Sequence, residues 1–289
     1  MIRQGRLVNQ PTLMPADAAT AVGGTTSTFL GAGTFGETWR VDGVLIDGEP
    51  RSVAVKFLQP HNFHPGLVER EIAGLTDISS RRIMGLHEVR TISIADTDYT
   101  ALLCEYLPGG SVEDNLAADG VPGHVDAVAF AIELLHAVAQ LHAAERVHRD
   151  LKPENIMLRD GSWASPVLID LGLSKAATEM TMTRYPQRVG SLLFMAPEQL
   201  RGERARKSSD LWACGVILFT VLTGQHPYIT SLSGKTEDEV AEEITGPPRA
   251  LPAHIPDALH DVVLRLLSED AFERGTAKRA LKDLRKAAK

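Results

Sequence analysis

An aspartate, a lysine and an asparagine stand at positions 150, 152 and 155 of the segment Val147-His148-Arg149-Asp150-Leu151-Lys152-Pro153-Glu154-Asn155-Ile156-Met157-Leu158. In one loop they offer a carboxylate that can take a hydroxyl proton, a cation that can neutralise a migrating phosphoryl group, and an amide oxygen that can ligate a metal. Asp170, at the end of the apolar stretch Val167-Leu168-Ile169, adds a second carboxylate suited to Mg2+ as a hard oxygen ligand. Phosphoryl transfer needs such groups, because its catalysis is chiefly positioning and charge neutralisation.

Leu30-Gly31-Ala32-Gly33-Thr34-Phe35-Gly36 carries three glycines whose spacing lets a backbone turn tightly and bring its N–H groups close to phosphates. Taken alone, a glycine-rich hairpin with no ligand fits as well. A dinucleotide-binding fingerprint would open a helix, whereas Glu37-Thr38-Trp39-Arg40-Val41 continues as a strand, so the glycines are expected at the turn of a hairpin lying over a nucleotide. Lys56 ends the short apolar strand Val53-Ala54-Val55. Its charge calls for a ligand phosphate or a carboxylate, with Glu69 and Glu71 as candidates, unless it is a surface lysine that snorkels to water.

These groups need a scaffold to hold them. Residues 25 to 58 read as strands with a turn at Asp47-Gly48, and residues 66 to 78 place Leu67, Ile72 and Leu75 near helical spacing. Thr100 to Leu107 is strand-like again. Pro108-Gly109-Gly110 breaks the pattern, and Val125 to Val147 then runs as an amphipathic helix. Residues 1–24 show neither period and are expected to form a loose leader or an edge addition. A β-rich first third and a helix-rich remainder predict an α+β chain of two unequal lobes split near residue 107, and a cleft between two lobes is where a ligand site prefers to sit.

Of the 289 residues, 44% are hydrophobic and 23% charged, enough for a globular core. A net charge of −7 argues against a general nucleic-acid binder. The two cysteines, Cys104 and Cys214, lie in apolar runs, which excludes a disulfide framework and points to a reducing, cytoplasmic setting. The most apolar stretch, Leu211 to Leu222, falls short of the roughly 18 residues of a membrane span, so it reads as a buried helix and no span is expected. Lys278 to Lys289 is basic at helical spacing and reads as a solvated face, with docking to a partner or an acidic membrane as the sharper alternative.

In this order the motifs resemble the eukaryotic-type (Hanks-type) serine/threonine protein kinase family, over about residues 25 to 285. Met195-Ala196-Pro197-Glu198, Asp210-Leu211-Trp212-Ala213-Cys214-Gly215 and Glu273-Arg274 complete the resemblance. It implies a two-lobed α+β fold with a five-stranded antiparallel small lobe, about 25–107, and a mainly helical large lobe, about 108–285. It also implies ATP- and Mg2+-dependent transfer of the γ-phosphoryl group, with Mn2+ as an alternative cation, to Ser or Thr hydroxyls of protein substrates.

Carried over by resemblance, Leu30 to Gly36 cover the phosphates, Lys56 holds them, and Glu71 braces Lys56. Asp150 is the base, Lys152 stabilises the phosphoryl group in transit, and Asn155 and Asp170 hold the metal. Thr38, Ala54 and Met157 enclose the adenine, while Glu105 and Leu107 offer backbone groups to its edge and Cys104 guards the back of the pocket. Glu198 is expected to pair with Arg274, and Asp210 to brace the catalytic loop. Leu171 replaces the usual Phe of Asp-Phe-Gly and Ser191 the usual Thr before Ala-Pro-Glu, and both leave the chemical groups in place. Arg149 beside the base, with Thr181 and Thr183 downstream, implies a segment ordered by autophosphorylation and a self-association that permits it. A silent scaffold of the same fold is the alternative, and it would usually have lost one of Lys56, Asp150, Asn155 or Asp170. A small-molecule phosphotransferase would lack the Ala-Pro-Glu and Asp-x-Trp motifs. Alanine and arginine usage points to a bacterial source.

Overall fold

The computed structural model describes residues 10–33, 36–59, 72, 78–171 and 192–287. Glu71, Thr34, Phe35, Thr181, Thr183 and Ser191 lie outside the described residues. Contacts divide the chain into two compact units, and the break among the described residues falls between Leu107 and Pro108.

The first unit is a five-stranded antiparallel sheet in the order β1-β2-β3-β5-β4. Its strands are β1 (Thr26–Gly33), β2 (Gly36–Ile46), β3 (Glu49–Leu58), β4 (Leu86–Ile94) and β5 (Thr97–Glu105). Ile46 pairs with Glu49 across a two-residue turn in which Asp47 and Gly48 both take positive φ, 53° and 81°. That left-handed pair matches the twist of the flanking strands, as the Asp-Gly signal predicts. The β4–β5 hairpin uses the same geometry at Ala95 and Asp96, where no glycine announces it.

Alternation along the strands gives the sheet two apolar faces. One gathers Trp39, Val41, Val44, Val53, Val55, Phe57, Ala101 and Leu103, and the other gathers Leu58, Leu102 and Cys104. The first face is covered by residues 13–22, so of the two expectations for the N-terminal stretch, a loose leader or an addition to the sheet, the described part is a packed addition. Helix α1 (Pro15–Ala21) opens with Pro15 at its first turn, and Leu13, Ala18, Ala19 and Val22 are buried in the same core as Trp39 and Phe57. Alanine favours the helix and its small side chain lets the helix lie close to the sheet.

The second unit is mainly helical: α2 (Val112–Asp119), α3 (His124–Ala143), α4 (Pro197–Leu200), α5 (Lys207–Thr223), α6 (Glu237–Ile244), α7 (Asp257–Leu266) and α8 (Ala277–Ala287). A small antiparallel pair, β6 (Ile156–Leu158) and β7 (Pro166–Leu168), lies between α3 and α4 in sequence. Helix α3 packs against α5 and α8, and α7 packs against both α5 and α8. The Leu211–Leu222 stretch lies within α5 and is almost wholly buried. A side chain on Gly215 would sit 3.0 Å from Leu266 and Leu267, so this glycine lets α5 and α7 approach.

The amphipathic run expected to Val147 ends earlier, at Ala143, because Glu145 turns the backbone left-handed with φ 57°. By length and composition α3 could cross a membrane, and in the fold half of that apolar window is buried as a core helix. Cys104 and Cys214 are buried and unbridged.

Candidate functional site

In the second unit the β6–β7 hairpin fixes two of the chemical groups at once. Ile156 pairs with Leu168, and one residue outward the Ile169 N–H donates to the Asn155 carbonyl at 3.0 Å. Asn155 and Asp170 therefore stand at the same end of the hairpin, with Asp170 held left-handed at φ 56°. The Asn155 amide N–H2 donates to the Asp150 carbonyl at 2.8 Å and to Asp150 Oδ2 at 3.1 Å. Lys152 Nζ lies 3.0 Å from the same Oδ2. Asp150, Lys152 and Asn155 thus form one bonded cluster, with both of the carboxylate's contacts among the described residues falling on Oδ2.

The loop carrying Asp150 is braced from α5. Asp210, 1% exposed, accepts from the His148 N–H and the Arg149 N–H, each at 2.9 Å, and so bears out the expected brace. It also accepts from His142 Nε2 on the last turn of α3 at 2.8 Å, a partner that sequence reasoning missed. Nothing in the spacing announces it, since the two residues are 68 positions apart. Arg149 takes the left-handed conformation at φ 73°, which turns the chain between His148 and Asp150. The fully buried His148 ring points the other way, with Nε2 donating to the Ile169 carbonyl at 3.1 Å. Burial holds its pKa below the usual histidine range, opposed by the Asp210 charge, so the ring is a neutral connector between the Asp150 loop and the strand that delivers Asp170.

Elsewhere in the second unit, Glu198 and Arg274 form the expected pair. Arg274 Nη1 and Nη2 donate to the two carboxylate oxygens at 2.9 and 3.0 Å. The remaining guanidinium donors reach the carbonyls of Ser268, Ser208 and Glu269, so a fully buried cation is satisfied on all sides. The same guanidinium lies over the Trp212 ring at 5.0 Å. Burial pushes the Glu198 carboxyl up, but hydrogen bonds from Arg274 and Ser209 outweigh it and hold its pKa below the usual range.

In the first unit the register sorts the remaining residues. Thr38 pairs with Lys56 and Lys56 with Leu102, while Arg40 pairs with Ala54 and Ala54 with Cys104. Thr38, Ala54, Lys56 and Cys104 consequently share the face opposite α1. Leu30 is the extra residue of a bulge, since Phe29 pairs with Trp39 and Gly31 with Thr38. Ala32 pairs with Glu37 and Gly33 with Gly36.

The three glycines differ in what the fold asks of them. A Cβ on Gly36 would lie 1.9 Å from the Phe57 carbonyl oxygen, so β3 itself excludes a side chain there. A Cβ on Gly31 or Gly33 would meet nothing within 4 Å among the described residues. Glu105 exchanges hydrogen bonds with Gly85: its N–H donates to the Gly85 carbonyl at 2.9 Å and its carboxylate accepts from the Gly85 N–H at 3.0 Å. Leu107 is buried and Met157 half-buried. Gly109, quoted only as a breaker in the sequence, is required sterically, because a Cβ would lie 1.9 Å from the Leu158 carbonyl.

Residues 25–284 match the protein kinase domain family. Among curated proteins, the probable serine/threonine-protein kinase PkwA of Thermomonospora curvata is 30% identical over 88% of this chain and 33% of its own length. The serine/threonine-protein kinase PrkC of Bacillus subtilis (strain 168) is 24% identical over 85% of this chain and 37% of its own length. The chain thus spans about a third of the length of these relatives. In fold it is similar to a crystal structure of Rad53 1-466 in complex with AMP-PNP, with a TM-score of 0.69 at 24% identity, covering 89% of this chain and 64% of that one.

Proposed function

The chain belongs to the protein kinase domain family, and on that footing we propose that it transfers the γ-phosphoryl group of ATP to serine or threonine hydroxyls of proteins. One observation carries the reading: Asp150, Lys152 and Asn155 are bonded into a single cluster, and a backbone hydrogen bond ties Asn155 to the residue before Asp170. The names of the bacterial relatives favour Ser/Thr over other acceptors.

The residues present suit Mg2+. With its N–H2 committed to Asp150, Asn155 has its amide oxygen left for a cation, and the Asp170 carboxylate is the second hard donor. Bound Mg2+ supplies charge neutralisation on the phosphates. Asp150, anchored through Oδ2 by Asn155 and Lys152, orients an acceptor hydroxyl and takes its proton. Lys152, already beside that carboxylate, carries the positive charge that meets the phosphoryl group in transit. Thr38, Ala54 and Lys56 present one sheet face to the nucleotide, with Lys56 holding its α- and β-phosphates. Among the described residues nothing would meet a Cβ on Gly31 or Gly33, which accords with glycines kept so that their backbone can approach an anion. Glu71 is the carboxylate partner proposed for Lys56.

Control is proposed to run through Arg149, beside the base, pairing with a phosphate on Thr181 or Thr183 that a second copy of the chain adds. Phosphopeptide mapping that finds the segment unmodified in active enzyme would reject this part. The central test is transfer of label from radioactive ATP to a generic protein substrate by wild type and Asp150→Asn. The variant is expected to lose about 100-fold or more of the activity while still binding nucleotide. Equal labelling by both rejects the enzyme reading.

A further inference from the structure

Glu37 follows Gly36 on β2, on the face that carries Trp39 and Val41. It is 4% exposed. Its carboxylate accepts from the Thr12 N–H at 2.8 Å, from the Leu13 N–H at 3.3 Å and from the Trp39 indole N–H at 3.1 Å, and the Thr12 hydroxyl donates to it as well. Among the described residues every one of these donors is neutral. A carboxylate without a cation is costly to bury unless several donors converge on it, so strand and N-terminal segment hold each other in place.

The segment is fixed elsewhere on the same unit. Ser27 Oγ donates to the Pro15 carbonyl at 2.6 Å, Arg90 Nη1 donates to the Val22 carbonyl at 2.8 Å, and Leu13, Ala18, Ala19 and Val22 are buried. The kinase-domain match begins only at residue 25, so the donors on Thr12 and Leu13 come from outside the part of the chain that the family accounts for.

We propose that Glu37 is a positioning residue for nucleotide binding, through which residues 10–22 set the position of the glycine-rich hairpin. The inference rests on the kinase reading above. Side chains alternate along β2, so Thr38, which pairs with Lys56, faces away from Glu37. A tether on one face holds the strand that presents the other. A Cβ on Gly31 or Gly33 would meet nothing within 4 Å among the described residues, and Glu37 sits between Ala32 on β1 and Phe57 on β3, so the pairing of the strands is what places the glycines. Once released, the hairpin samples more positions, and a nucleotide must then spend binding energy ordering it. The Asp150 cluster belongs to the other unit and keeps its own hydrogen bonds. The signature is a rise in KM for ATP without a matching fall in kcat.

The test uses the full chain as wild type, Glu37→Gln, Glu37→Asp, Thr12→Pro and the Glu37→Gln/Thr12→Pro double variant. KM, kcat and the equilibrium affinity for a non-hydrolysable ATP analogue are measured beside thermal unfolding. Glu37→Gln is expected to raise KM and Kd about fivefold with kcat within about twofold. Glu37→Asp should recover part of the loss. Thr12→Pro removes two donors at an exposed position, so it tests the tether even where a core substitution fails to fold, and it should raise KM in the same sense. The double variant should be no worse than Glu37→Gln alone, because both act on one contact. Lower melting temperatures with unchanged KM and Kd would show a purely structural contact and overturn the inference while leaving the kinase reading intact. A wild type that binds no nucleotide would overturn both.

Discussion

Gly33 and Gly36 pair with each other across β1 and β2, yet they are glycines for different reasons. At Gly36 the obstacle is the β3 backbone, so Gly36→Ala is expected to destabilise the fold by about 2 kcal/mol, measured by urea unfolding. At Gly33 nothing among the described residues stands within reach of a Cβ, so Gly33→Ala should leave stability within about 0.5 kcal/mol and raise KM for ATP several-fold. A loss of stability equal to that of Gly36→Ala would remove the argument that the open backbone serves a ligand. The motif spacing shows three glycines and cannot tell these roles apart, because the difference lies in what approaches each residue from another strand. The same holds for Asp210: its role came from resemblance, whereas its third partner, His142, is a long-range neighbour with no local signal. That Asp150, Lys152 and Asn155 come together was legible because the three lie in one short loop.

At the scale of elements, the strands follow their alternation and the β2–β3 turn its Asp-Gly pair. The helix α1 does not show in the sequence, because seven residues rich in alanine give no apolar stripe, and its contribution depends on fitting against a sheet. Ala18 is fully buried there, so Ala18→Leu is expected to overpack the interface and cost about 1–3 kcal/mol, read as a lower urea midpoint. A neutral outcome would return residues 15–21 to the status of a detachable leader. The early end of α3 was hidden for a related reason. Glu145 keeps the run polar and helix-compatible in sequence, and only the need to bring His142 and His148 onto the same Asp210 explains a left-handed residue between them.

Across the whole molecule, acid sensitivity follows from two buried histidines. Burial holds His226 down to about 4, opposed by its bond to the Leu193 carbonyl, and His148 is held down by the same cause. Above pH 6.5 these rings are neutral in both folded and unfolded chains and pH does not matter through them. As pH falls from about 6.5 toward 4, the unfolded chain's His226 gains a proton that the folded one refuses, so stability falls by up to ~1.4 kcal/mol per pH unit, and His148 acts in the same direction. Urea midpoints should therefore drop between pH 7 and 5. His226→Gln, though less stable at pH 7 through loss of the ring's contacts with Leu193, Tyr228 and Ile229, should show a shallower drop. An equally steep drop would place the acid sensitivity elsewhere. The triple bonding of Asp210 has a consequence in time as well as in position. The amides of His148 and Arg149 belong to a loop, but both end on a carboxylate buried in the core helix α5. They can meet solvent only when that core opens, so their hydrogen exchange should run at the rate of global unfolding. The segment that carries Asp150 would then be among the slowest-exchanging parts of the protein.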